Sequence, residues 1–99
     1  MLNIEKKTND NELTVSLTGR LDTTTAPELE AELKESLSGV KALTIDMTAL
    51  EYISSAGLRV LLSTQKVMSR QGGMKVAHVS ETIMEIFEVT GFSDILTIE

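Results

Sequence analysis

Leu13, Val15 and Leu17 alternate with Thr14, Ser16 and Thr18, the two-residue period of a strand that buries one face. Leu2 and Ile4 begin a shorter run of the same kind. Between the two runs stands Asn9-Asp10-Asn11. Asn and Asp bond their own backbone and tolerate positive φ, so the chain is expected to open as an antiparallel hairpin whose second strand ends near Gly19.

After Gly19 the period changes to that of a helix. Ala26, Leu29, Leu33 and Leu37 recur at helical spacing, Pro27 falls in the first turn where no intrahelical N–H bond is lost, and Gly39 can end the segment. Thr25 and Glu28 have the spacing of a capping box, with Thr25 accepting from the third helical amide and Glu28 reaching back. Leu43, Ile45 and Met47 then alternate with Ala42, Thr44 and Asp46 as a strand, followed by a short connection over residues 48–53. A second helix carries Leu58, Leu61, Leu62 and Met68, has Ser54 or Ser55 as its natural N-cap, and stops at Gln71-Gly72-Gly73. A strand over residues 74–79 follows. Ser80 caps a short helix bearing Ile83, Ile86 and Phe87 before Gly91, and residues 95–98 close the chain as a final strand. The order is ββαβαβαβ, an α/β fold. Alternating helices and strands need right-handed crossovers, which give a mixed sheet covered by helices.

The 99 residues suit one domain, 1–99, with a hydrophobic fraction of 41% and a charged fraction of 24%, both ordinary for a globular chain. Cysteine is absent, which removes disulfides, thiolate metal sites and thiol chemistry together and fits a cytoplasmic location. No signal-like start and no membrane-length apolar run occurs. The formal charge of −6 repels nucleic-acid backbones and anionic membranes, and three aromatic residues offer no stacking platform for bases. A protein partner is the expectation, with no cofactor and a monomer when free.

One segment is chemically marked. From Asp46 to Leu62 the chain runs strand, turn, helix, and it places Ser54, Ser55, Ala56 and Gly57 where the first helical amides point outward. Those amides lack intrahelical partners and carry the positive end of the dipole, so a phosphate there gains roughly 0.3–1 kcal/mol. Such a modification adds nearly two negative charges, which changes a surface that a partner must desolvate without breaking the helix.

Thr18-Gly19-Arg20-Leu21-Asp22, the Asp46 strand, Ile53-Ser54-Ser55-Ala56-Gly57-Leu58, Gly72-Gly73 and Thr90-Gly91-Phe92 together resemble the bacterial anti-sigma factor antagonists, which are single STAS domains. The resemblance covers nearly the whole chain. It implies that Ser55 is phosphorylated by an anti-sigma factor that is also a serine kinase, that a PP2C-like serine phosphatase reverses the modification, and that the unphosphorylated form binds the kinase. It carries over Asp22, Ser55 and Gly57, and the partner-binding surface is expected to comprise Asp22, Ser54, Ser55, Ala56, Gly57 and Arg59. The family often has Asp before the phosphoserine and Ser or Thr after it; here those positions are Ser54 and Ala56, so Ser54 is a second candidate.

Other chemistries fit the residues less well. A hydrolase nucleophile elbow needs glycines two before and two after its serine and a histidine base. Here the earlier glycine is missing, and the single histidine, His78, has no evident partner. Glu28, Glu30, Glu32 and Glu35 with Lys34 read as a solvated face, and Gly72-Gly73 precedes a strand instead of opening a helix, so neither forms a metal or phosphate site. The remaining alternative is an assembly role, as a STAS subunit of a signalling complex or lipid-transport system that is never phosphorylated.

Overall fold

The opening hairpin forms as its alternation dictates. In the computed structural model, which describes residues 1–99, β1 (Leu2–Asn9) pairs antiparallel with β2 (Glu12–Leu21), and Asp10 takes the positive φ of 55° that the turn requires. Next come α1 (Ala26–Ser36), β3 (Ala42–Ile53), α2 (Ser55–Gln71), β4 (Gly73–Ala77) and α3 (Glu81–Thr90), then a 3-10 turn over Phe92–Asp94. The sheet order is β1-β2-β3-β4, with β2, β3 and β4 mutually parallel. Parallel neighbours need crossovers, which α1 and α2 supply. The expected α/β fold with a mixed sheet is therefore present.

Alternation along the strands decides which face is covered. Leu13, Val15 and Leu17, then Leu43, Ile45 and Met47, then Met74 and Val76 are buried on one face. Against them pack Leu29 and Leu33 of α1, Leu58, Leu61 and Met68 of α2, and Ile83 and Phe87 of α3, all in one hydrophobic cluster. Each large side chain so buried contributes roughly 1.5–3 kcal/mol before the entropy of ordering is set against it. On the other face, Thr14, Ser16, Thr44 and Asp46 stay partly exposed.

Several boundaries differ from the sequence expectations. The second strand runs past Gly19 to Leu21, and the third continues through residues 48–53, because register shifts between Ser16 and Thr18 and between Gly19 and Arg20 let β3 stay paired with β2 as far as Ile53. The fourth strand ends at Ala77, since His78 adopts a φ of 58° that no strand can continue. The closing strand over 95–98 is reduced to a single bridge between Val76 and Ile98. The Val76 N–H donates to Thr97 at 2.8 Å and the Glu99 N–H to the Val76 carbonyl at 2.9 Å.

The C-terminal end of α2 is fixed by side-chain and steric detail. Gln71 Nε2 donates to the carbonyls of Leu37 at 3.0 Å and Val40 at 2.8 Å, tying the helix end to the loop after α1. Any Cβ at Gly72 would collide with the Lys41 carbonyl, so the chain can pass there only as glycine. No helix is long and apolar enough to cross a membrane.

Candidate functional site

The ends of β2 and β3 bring the candidate residues together. Leu21 and Ile53 are register partners in the parallel pair, both essentially fully buried, and the Ser54 N–H donates to the Leu21 carbonyl at 2.8 Å. Asp22 follows one strand and Ser54 the other. Two segments distant in sequence thus leave the sheet side by side, one entering α1 and the other α2.

Ser54 caps α2. Its backbone is extended, with φ −99° and ψ 175°, and its Oγ accepts from the Gly57 N–H at 3.4 Å while its carbonyl accepts from the Leu58 N–H at 3.0 Å. Ser55 is the first helical residue and is exposed. With Ser54 serving the cap, the Ser55 hydroxyl takes part in no hydrogen bond to protein. No acidic side chain occupies the first turn, so the amides of Ser55 and Ala56 and the positive end of the dipole stand uncompensated.

Gly57 sets how closely α2 meets the sheet. A Cβ there would lie 2.7 Å from Leu21 Cγ and 2.9 Å from Ile53 Cγ1, so the glycine lets the helix start rest on the two residues that end the strands. The buried Gly57 and Leu58 hold this turn down while Ser55 and Arg59 face outward.

Asp22 is held by its own loop. Its Oδ1 accepts from the N–H groups of Thr24 and Thr25, both at 3.0 Å, and these bonds, led by that from Thr25, keep its carboxyl below the ordinary aspartate range. The capping box expected at Thr25 does not form. Thr25 has helical dihedrals, φ −94° and ψ −20°, and its hydroxyl turns back: it accepts from the Asp22 N–H at 2.8 Å and donates to the Arg20 carbonyl at 2.9 Å. A hydroxyl must lie on an extended residue to cover the later amides, so Thr25 stabilises the Asp22 loop and not the helix start. This role was missed in the sequence, although an Asp followed three residues later by Thr is the spacing of such side-chain-locked turns.

Arg20 and Tyr52, one residue before Leu21 and Ile53 on the paired strands, point to the open face of the sheet, the guanidinium carbon lying 4.5 Å from the ring centroid. They are register partners on β2 and β3, a pairing that periodicity alone does not reveal. Between the helices, a shallow groove of about 200 Å³ has Thr23, Ala26, Pro27 and Glu30 on one wall and Ala56, Arg59 and Val60 on the other. A larger depression of about 480 Å³ lies over α3, with Glu81, Glu85 and Glu88 along it; none of the candidate residues lines it, and its carboxylates mark it as solvated surface.

The other residues weighed in the sequence fall elsewhere. His78 is exposed beyond β4. Asp46 sits on the open sheet face, where Thr48 donates to its Oδ1 from the hydroxyl at 2.6 Å and the backbone N–H at 2.9 Å, lowering its pKa. The glutamates of α1 are solvated, and Glu32 pairs with Lys6 at 2.6 Å.

The STAS domain model matches residues 3–99. The chain is 33% identical over 98 residues to the anti-sigma-B factor antagonist of Bacillus subtilis (strain 168), covering 98% of this chain and 90% of that protein. Its fold superposes on a crystal structure of an anti-sigma factor antagonist from Mycobacterium paratuberculosis with a TM-score of 0.90, at 25% identity and covering 99% of this chain and 85% of that one. The anti-sigma factor antagonist SpoIIAA in its unphosphorylated form gives a TM-score of 0.84 at 15% identity, covering 98% and 88% of the two chains. The chain belongs to the STAS domain family and, within it, to the anti-sigma factor antagonists.

Proposed function

We propose that this chain is a partner-switching regulator that acts in the bacterial cytoplasm. Unphosphorylated, it binds an anti-sigma factor with serine-kinase activity through the surface of Asp22, Ser54, Ser55, Ala56, Gly57 and Arg59. That complex keeps the anti-sigma factor from its sigma factor. Transfer of the γ-phosphoryl group of ATP to Ser55 Oγ, with the hydroxyl proton passing to the kinase and ADP leaving, ends the complex. Hydrolysis of the phosphoserine by a PP2C-like phosphatase restores it, and the chain performs no catalysis of its own.

The observation that carries this reading is the division of labour between the two serines. Ser54 is committed to the cap, whereas Ser55 is exposed, unbonded and adjacent to uncompensated helical amides. A phosphate on Ser55 is compatible with the helix, so its effect falls on the interface. About 1.4 kcal/mol is tenfold in affinity, and two added charges in a desolvated contact readily exceed it. The relatives named as antagonists of anti-sigma factors support the choice of partner.

The test is incubation with the cognate kinase and ATP, followed by mapping of phosphate by mass spectrometry. Phosphate on Ser55 is expected. Modification confined to Ser54, or none, overturns the mechanism. A native pull-down that recovers transporter or scaffold subunits in place of a kinase would support the assembly role instead.

A further inference from the structure

Arg59 lies four residues beyond Ser55 on α2, and both side chains are exposed. Residues at this spacing share a helix face with Cβ atoms about 5–6 Å apart. Arg59 is unpaired: the ion pairs of the chain are Lys6 with Glu32 and Lys75 with Glu99. Glu30 lines the same groove from α1 but does not come within ion-pair distance. Arg20, at the end of β2, is stacked over Tyr52. An anion followed four residues later by a cation is the order that also suits the helix dipole, and a guanidinium can donate two parallel N–H bonds to one phosphate.

We infer that Arg59 is the internal counter-ion of the Ser55 phosphate, so that phosphorylation both adds negative charge to the interface and engages a guanidinium that the unmodified chain leaves unpaired. The inference rests on Ser55 being the modified residue. An aspartate at position 55 would engage Arg59 less fully, because a carboxylate carries less charge and fewer acceptors than a phosphate.

The experiment places phosphoserine at position 55 by genetic encoding or chemical ligation, so no kinase is involved. Its second ionisation is followed by phosphorus NMR at low salt in the otherwise unchanged chain, in Arg59→Gln and in Arg59→Lys. The midpoint is expected about 0.3 unit lower with Arg59 than with glutamine, and lysine should restore part of that difference. Asp22 and Glu30 act alike in all three proteins. Equal midpoints for the arginine and glutamine forms would overturn the counter-ion role while leaving the Ser55 switch intact; failure of the kinase to modify Ser55 would refute the switch without moving this measurement.

Discussion

The Ser54 N–H and the Leu21 carbonyl meet at 2.8 Å, and this bond joins the start of α2 to the end of β2. Because Asp22 follows Leu21 directly, the same bond fixes the Asp22 loop beside the serines. The surface is thus built on two strand ends and a helix start, elements stiffer than free loops.

Gly57→Ala is expected to destabilise the protein by about 1–3 kcal/mol, the usual penalty for forcing a methyl into packed side chains. Its Cβ would press on Leu21 and Ile53, whose side chains are fully enclosed. Thermal or urea denaturation measures the loss. A substitution of no effect would show that α2 can move off the sheet freely.

The two serines should separate in stability measurements. Ser54→Ala removes the cap and is expected to cost about 0.5–1 kcal/mol, toward the lower part of the range because the Oγ to Gly57 distance is 3.4 Å. Ser55→Ala is expected to change stability by less than about 0.5 kcal/mol. It should bind the kinase but resist release by ATP, whereas Ser55→Asp should bind more weakly, as read by calorimetry. Equal destabilisation by the two alanine variants would contradict their division of roles.

Thr25→Val keeps the shape of the buried side chain but removes its hydroxyl, leaving the Asp22 N–H and Arg20 carbonyl without their partner. A loss of about 1–3 kcal/mol is expected, together with faster amide exchange at Asp22. Thr25→Ser should retain the bonds and most of the stability.

Acid should loosen the loop before it affects the serines. Asp22 and Asp46 both have pKa values lowered in the folded chain by hydrogen bonds from threonines, so both are charged at neutral pH. A folded pKa below the unfolded one means stability that is complete above the unfolded value, near 3.8, and is lost as pH falls through the folded value. Carbon NMR of the two carboxyls should therefore give midpoints below 3.8, with the loss of Thr24 and Thr25 amide protection tracking Asp22. Midpoints above that value would contradict the hydrogen-bonded geometry.

Local pattern made much of this legible. Alternation in Leu13 to Leu17 and Leu43 to Met47 marked strands that become the buried face of the sheet, and the stripes of α1 and α2 marked their contact faces. Ser54 was legible as a cap because a hydroxyl directly before an amphipathic run bonds the nearest free amides. Thr25 misled for the same reason. Its neighbours fit the capping pattern, but Asp22 and Arg20 compete for the hydroxyl, and whether a residue is extended or helical is not written in residue type.

The sequence alone therefore determined the order of elements as far as α3, most of the core positions and the hydroxyl pair at the head of α2, since each depends on residues within a few positions of one another. The tertiary structure decided what stands beside that pair. Pairing of Leu21 with Ile53 and of Arg20 with Tyr52 depends on the register and bulges of two strands separated by a whole helix. That register is selected by burying one face of both strands at once, a collective choice that no local window contains. It is this choice that places Asp22 beside Ser54 and lines the groove with both α1 and α2.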